Sequence, residues 1–156
     1  MEKGKPVYSV HQIATWFLSR ESMTHKKLQK LCYYAQAWYC ALYDGSPFFK
    51  EDFEAWVHGP VCRSLYSKYA DFGWSSIPKV ENYNSPFMDK ETDILHAVYN
   101  LYSKYDGDQL EEITHKEKPW SDCREGLKPY EPSNKVISIK SMRDYYLSEY
   151  KRAQND

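Results

Sequence analysis

Apolar and aromatic side chains recur at helical spacing between Thr24 and Gly45. Threonine is a common N-cap and glycine is common just beyond a helix, so these two residues predict the helix ends. The predicted apolar positions are Leu28, Leu31, Cys32, Ala35, Trp38, Tyr39 and Leu42. The first half also carries Lys26, Lys27 and Lys30, which we expect on the solvent side. The second half is apolar on nearly all sides, which is typical of the central helix of a bundle.

Other segments predict helices around this one. Ser9 and Gln12 form a capping-box pattern that opens a first helix. Asp89 predicts the cap of a helix that ends at Gly107. The expected buried positions of that helix are Ile94, Leu95, Val98, Leu101, Tyr102 and Tyr105.

The C-terminal third predicts three more helical segments. Asp108 and Glu111 form a second capping-box pattern, and a further turn or helix follows from "KPW" to about Gly126. The final helix is predicted from about Ser138 to Arg152. Its expected buried positions are Ile139, Met142, Tyr146 and Tyr150.

Residues 53–58 change period, because apolar and polar positions alternate there. Alternation predicts a short strand, and Gly59-Pro60 is expected to stop it, with Pro60 at the first position of a helix that runs to about Asp71. Val136 and Ile137 predict a second short strand, and residues 73–89 an irregular connection. The predicted fold is mainly α: a compact multi-helix domain around a central apolar helix, with at most a small two-stranded sheet.

Length and charge limit the class of protein. A chain of 156 residues suits one domain, and we expect a flexible N-terminus at 1–8, a single helical domain at 9–150 and a tail at 151–156. The net charge of -1 makes nucleic acid an unlikely partner. No apolar run approaches the roughly 20 residues that span a bilayer, and no signal peptide is visible, so we expect no membrane association and a cytoplasmic location.

The chain offers little for catalysis. It has no Gly-rich phosphate loop, and the H-x-E of His115-Lys116-Glu117 lacks the P-C-x-x-C partner of zinc deaminases. The neighbouring residues Cys62 and His58 have no third group to orient them. We therefore expect no enzyme, metal or cofactor. The 15 tyrosines exceed what one small core absorbs, which favours a protein-binding surface.

Three stretches together resemble a known family: "LQKLCYYAQAWYCALYDGSPFFKEDFEAWVHGPV", "LEEITHKEKPW" and "VISIKSMRDYYL". Their order and spacing resemble the Panacea domain family, which is phage-associated and also described as GepA-like or SocA-like. The resemblance implies a helical antitoxin of a two-gene toxin-antitoxin system that binds and neutralises its cognate protein toxin, encoded by an adjacent gene. One branch of the family is a proteolytic adaptor that delivers its toxin to an ATP-dependent protease, which is the alternative.

The family motifs also supply the candidate site. Its residues are Glu54, Trp56, His58, Gly59, Pro60, His115, Glu117 and Trp120. Trp56, Pro60 and Trp120 are expected to be buried pins that join strand, turn and helix, because tryptophan is highly buried on average. The rings of His58 and His115 are the candidates for a shared partner groove. A further alternative, a phage-encoded hydrolase, would use Glu54 with both histidines.

Overall fold

The computed structural model describes residues 8–155, which form seven α-helices and two two-stranded antiparallel sheets. The helices are α1 (Val10–Leu18), α2 (His25–Leu42), α3 (Arg63–Tyr69), α4 (Asp89–Tyr102), α5 (Gly107–His115), α6 (Lys118–Cys123) and α7 (Ile139–Gln154). The strands are β1 (Met23–Thr24), β2 (Glu54–Trp56), β3 (Gly59–Val61) and β4 (Ser76–Ile77). Strand β1 pairs with β4 and β2 with β3. Of the predicted flexible segment 1–8, residues 1–7 lie outside the described residues.

Helix α2 is the centre of the fold, and the mainly α class is confirmed. It packs against α1, α4, α5 and α7. Tyr33, Tyr34 and Gln36, which point in different directions around the helix, are all buried. A helix covered on all sides contributes its apolar surface to every neighbouring helix, and its position therefore fixes the arrangement of the others.

The prediction that Lys27 and Lys30 of α2 face solvent is wrong, because both side chains are buried. Lys27 Nζ donates to the Ser103 carbonyl at 2.7 Å, at the end of α4. Lys30 is covered by the β2–β3 hairpin and by α5. The sequence period identifies the apolar positions of a helix, but it does not reveal that a neighbour also covers the polar ones.

Gly59-Pro60 does not end a strand and start a helix. It opens β3, in which Gly59 lies opposite Trp56 and Pro60 opposite Ala55. The left-handed φ of +105° at Gly59 allows the chain to reverse there. Helix α3 begins only at Arg63, after Cys62 as N-cap. The predicted strand at Val136 and Ile137 is a single bridge from Val136 to Glu54.

Helix ends were predicted with mixed success. The Ser9 capping box and the Thr24 N-cap are confirmed. In α4, Met88 rather than Asp89 is the N-cap, and the helix ends at Tyr102 instead of Gly107.

The capping box of α5 consists of Asp106 and Gln109, not Asp108 and Glu111. Both carboxylates of the predicted pair instead bind Lys26. Met142 and Tyr146 of α7 are buried as predicted, whereas Leu101 is 53% exposed and Tyr150 41% exposed.

Candidate functional site

The β2–β3 hairpin lies directly on α2. A Cβ atom added at Gly59 would stand 2.7 Å from Lys30 Cε and 3.1 Å from Thr114 Oγ1, and the φ of +105° is one that L side chains rarely adopt, so glycine suits this position between the hairpin, α2 and α5. Lys30 Nζ donates to the Pro60 carbonyl at 3.2 Å. Gly59 and Pro60 are both buried, which agrees with a structural role for this part of the motif.

Trp120 joins α6 to the hairpin. Its Nε1 donates to the Trp56 carbonyl at 2.8 Å, and its ring stacks on the ring of His115 at 3.9 Å between centroids. Burial lowers the pKa of His115, and its Nε2 is buried with no hydrogen-bond partner among the described residues. These contacts support Trp120 and His115 as packing groups beneath the hairpin.

Glu54 and His58 lie on the outer side of the same hairpin. Glu54 Oε1 accepts hydrogen bonds from Trp56 Nε1 at 2.8 Å and from Arg63 at 3.0 Å. Burial alone would raise the pKa of Glu54, but the hydrogen bonds from Arg63 and Trp56 outweigh burial and lower it. His58 is exposed, and its Nδ1 lies 3.1 Å from Glu111 Oε2.

Glu117 occupies a separate place. Its Oε1 accepts hydrogen bonds from Tyr34 at 2.7 Å and from Tyr146 at 2.8 Å, within an aromatic cluster between α2 and α7. Burial raises the pKa of Glu117, although the two tyrosine hydroxyls oppose the shift. The predicted site residues are therefore distributed over the hairpin surface, the layer beneath it and this cluster.

The hydrolase hypothesis needs Glu54, His58 and His115 at one site. Among residues 8–155, no hydrogen bond joins any two of them, and each has a different partner. Cys62 is buried, and burial raises the pKa of its thiol, which disfavours the nucleophilic thiolate. In this described part of the chain, no group of three His, Cys, Asp or Glu side chains is placed to hold a metal ion.

An open cleft of about 400 Å³ lies between the hairpin, the first half of α2 and the segment that follows α3. We call it the aromatic cleft. Its lining is formed by Thr24, His25, Lys26, Gln29, Lys30, Trp56, His58, Val61, Tyr66, Ala70, Gly73 and Trp74. His25, Gln29 and Lys30 are buried and form its floor, while Tyr66 and Trp74 are exposed. His58 lines this cleft and His115 does not, so the two histidines do not share it.

The floor is held by side chains of α2. Gln29 Oε1 accepts from the Cys62 amide at 2.8 Å, and its Nε2 donates to the Cys62 carbonyl at 3.1 Å. The same Nε2 lies 3.0 Å from His25 Nε2. Because Nε2 of Gln29 is a donor, His25 presents an acceptor to it and is neutral. Burial lowers the pKa of His25 to about 4.

Sequence reasoning missed Lys30, Tyr66 and Trp74 as site residues. Trp74 lies in a stretch rich in glycine, proline and serine whose composition predicts an irregular connection, long enough for part of it to be functional. A tryptophan in such a segment was the available signal, because a loop seldom has a core in which to bury it. Arg124 was missed too. It is buried in the loop after α6 and donates to the Ala55 carbonyl at 2.9 Å, which fixes that loop to the hairpin.

A small helical domain with an open aromatic cleft has the form of a binding module. The family comparison specifies the class further. The model of the family described as "Antitoxin SocA-like, Panacea domain" matches residues 28–121, and the chain belongs to this family. Those residues include most of α2, the hairpin, α5 and most of α6. No curated protein and no solved structure matches the chain. In the described residues, no helix is both long and apolar enough to cross a membrane.

Proposed function

We propose that this protein is the antitoxin of a two-gene toxin-antitoxin system and neutralises its cognate toxin by direct binding at the aromatic cleft. Family membership supports the antitoxin role and a protein partner. The observation that carries the choice of surface is the exposure of Trp74, at 82% of its area. A single exposed aromatic is common, but this one stands beside a cleft together with Tyr66 and Trp56.

The cleft has the composition of an interface centre. Trp74 and Tyr66 supply large contact areas at a low cost in side-chain entropy, and the most important interface residues are enriched in tryptophan and tyrosine. Lys26 Nζ lies 5.5 Å from the Trp74 ring, and Arg63 lies 5.5 Å from the Trp56 ring. Cations over ring faces hold the aromatics in place and surround the apolar centre with charge. An antitoxin that covers the active surface of its toxin needs such a binding surface and needs no catalytic activity of its own.

The test is co-expression with the protein encoded by the adjacent gene. We expect that protein to arrest growth alone, and growth to return together with a stable complex when this chain is present. Trp74→Ala should weaken the complex by roughly 30-fold or more, as removal of a central interface tryptophan does. The matched control is Tyr130→Ala, because Tyr130 is 76% exposed and does not line the cleft.

Three results separate the alternatives. Growth arrest that this chain does not relieve contradicts the antitoxin role. Relief with loss of the toxin, only when an ATP-dependent protease is present, indicates the adaptor mechanism. If growth returns and the complex forms equally well with Trp74→Ala, the protein still neutralises the toxin by binding. The contact then lies on another face of the protein.

A further inference from the structure

Lys30 forms an unusual floor for a binding cleft. Its side chain is 1% exposed, and the Pro60 carbonyl is the only hydrogen-bond acceptor that its ammonium has among the described residues. No carboxylate of residues 8–155 lies within ion-pair distance of it. Lysine is almost never fully buried unless it is paired, because a buried charge is costly without an opposite one.

The carboxylates nearest the cleft already have partners. Glu111 binds Lys26 at 2.7 Å and contacts His58 at 3.1 Å, and Glu54 binds Arg63. The lining itself contains Lys26, Lys30 and two histidines but no Asp or Glu. The cleft therefore combines aromatic walls with one cationic side chain in its floor, Lys30, and the group that complements it is an anion attached to an apolar surface.

We propose that the aromatic cleft receives an acidic side chain of the toxin, whose carboxylate pairs with the Lys30 ammonium while adjacent apolar atoms contact Trp56 and Trp74. This inference rests on the proposed antitoxin function and names the chemistry of its contact. The flexible four-carbon stem of lysine lets the ammonium turn from the Pro60 carbonyl toward the cleft. In the complex, Lys30 then has an opposite charge within ion-pair distance, which residues 8–155 do not supply in the free protein.

Proton linkage gives this contact a distinctive signature. Burial lowers the pKa of Lys30 to about 7, with Glu111 of α5 opposing the shift and Lys26 of α2 adding to it. The other titratable groups facing Lys30 are His25 of α2 and His115 of α5. A carboxylate from the toxin favours the charged lysine, so complex formation takes up a proton near neutral pH. Affinity should consequently fall as the pH rises from about 7 to 9.

The test is a double-mutant cycle between this protein and the protein encoded by the adjacent gene. Lys30→Met replaces the charge with an apolar chain of similar length, a change that buried sites often tolerate. We expect it to lower affinity at least about tenfold. The matched control is Lys27→Met, because Lys27 is also buried on α2 but does not line the cleft.

In the toxin, each Asp and Glu is changed in turn to Asn or Gln. We expect one of these changes to weaken binding to the wild-type protein by a similar factor and to have no further effect with Lys30→Met. The scan against the wild-type protein keeps the test valid if Lys30→Met fails to fold. Calorimetry in buffers of different ionisation enthalpy should show proton uptake that disappears in Lys30→Met.

The possible outcomes are distinct. A complex that forms with wild-type affinity in Lys30→Met, or in which every toxin carboxylate acts independently of Lys30, overturns this inference but leaves the antitoxin role standing. If this protein does not bind the toxin at all, both the Lys30 inference and the proposed neutralisation by binding are contradicted. Coupling to one carboxylate with linked proton uptake supports the pairing.

Discussion

The molecule has two aromatic regions that differ in how they are closed. The tyrosine cluster, formed by Tyr33, Tyr34, Tyr102, Tyr146 and Glu117, lies between α2, α4, α6 and α7. The aromatic cleft lies beside the first half of α2 and the hairpin. In the cluster Tyr34 stacks on Tyr102 at 3.9 Å, and Tyr33, Tyr34 and Tyr146 are at most 1% exposed.

The two regions also differ in the partners of their buried ionisable group. Two tyrosine hydroxyls in the cluster donate to one oxygen of Glu117, so aromatic rings and carboxylate satisfy one another within the chain. In the cleft, the Pro60 carbonyl is the hydrogen-bond acceptor that residues 8–155 offer to Lys30, and Trp74 is 82% exposed. The comparison teaches that similar residue types stabilise the fold where their polar atoms are paired internally, and suit a partner where they are not.

Tyr146→Ala, in the tyrosine cluster, should cause the largest loss of stability. Removing this fully buried ring leaves a cavity and takes away one of the two hydrogen bonds of Glu117, so we expect a loss of about 4 kcal/mol in the free energy of unfolding. Urea denaturation followed by circular dichroism measures it. The matched control is Tyr150→Ala on the same helix, which is 41% exposed and should change stability by less than about 0.5 kcal/mol. Equal losses of stability in Tyr146→Ala and Tyr150→Ala would contradict the stabilising role of the tyrosine cluster.

Gly59→Ala should damage the fold at the cleft. The new Cβ would stand 2.7 Å from Lys30 Cε, and the φ of +105° is strained for alanine, so we expect a loss of about 3 kcal/mol. Gly73→Ala is the control, because Gly73 has a φ of +57° but no atom within 4 Å of the added Cβ. Thermal unfolding of both variants separates crowding from backbone strain; a Gly73 variant as unstable as the Gly59 variant would argue against the close approach.

His25 should make the cleft sensitive to acid. Burial lowers its pKa to about 4 in the folded protein, against an ordinary value of 6.5. Between these values the unfolded chain binds more protons, so the free energy of unfolding falls by about 3 kcal/mol as the pH decreases from 7 to 4. Urea titrations from pH 7 to 4 measure this loss. His25→Gln, which keeps an acceptor for Gln29, should remove most of it, and an unchanged pH profile would contradict the assignment.

Glu117 should have the opposite pH dependence and a smaller effect. Its pKa is raised above the ordinary value of 4.5, so the folded protein binds more protons in the window above that value. Stability therefore falls as the pH rises through this window. Glu117→Gln keeps an acceptor for Tyr34 and Tyr146, so we expect a gain in the free energy of unfolding at pH 7 that vanishes in acid. Glu112→Gln, at an exposed position of α5, is the control in the same urea experiment.

Local chemistry in the sequence was enough for the main features of the fold. The apolar positions from Leu28 to Tyr39 predicted the central helix, and the side chains of Ser9 and Thr24 predicted two helix starts. These features depend on residues within a few positions of one another, and their spacing is visible in the chain. The family motifs were recognised for the same reason, because their order lies in the sequence itself.

Only the tertiary structure decided which polar groups are buried and which aromatic rings remain open. Lys30 is polar at its own position in α2, and it became the floor of a cleft because a hairpin with Gly59 at its turn lies across it. Tyr34 and Trp74 are both aromatic, yet Tyr34 is fully buried among other helices and Trp74 is 82% exposed. Burial depends on distant segments that meet in space, and the spacing of residues along one helix does not show which of its polar and aromatic positions such a segment covers.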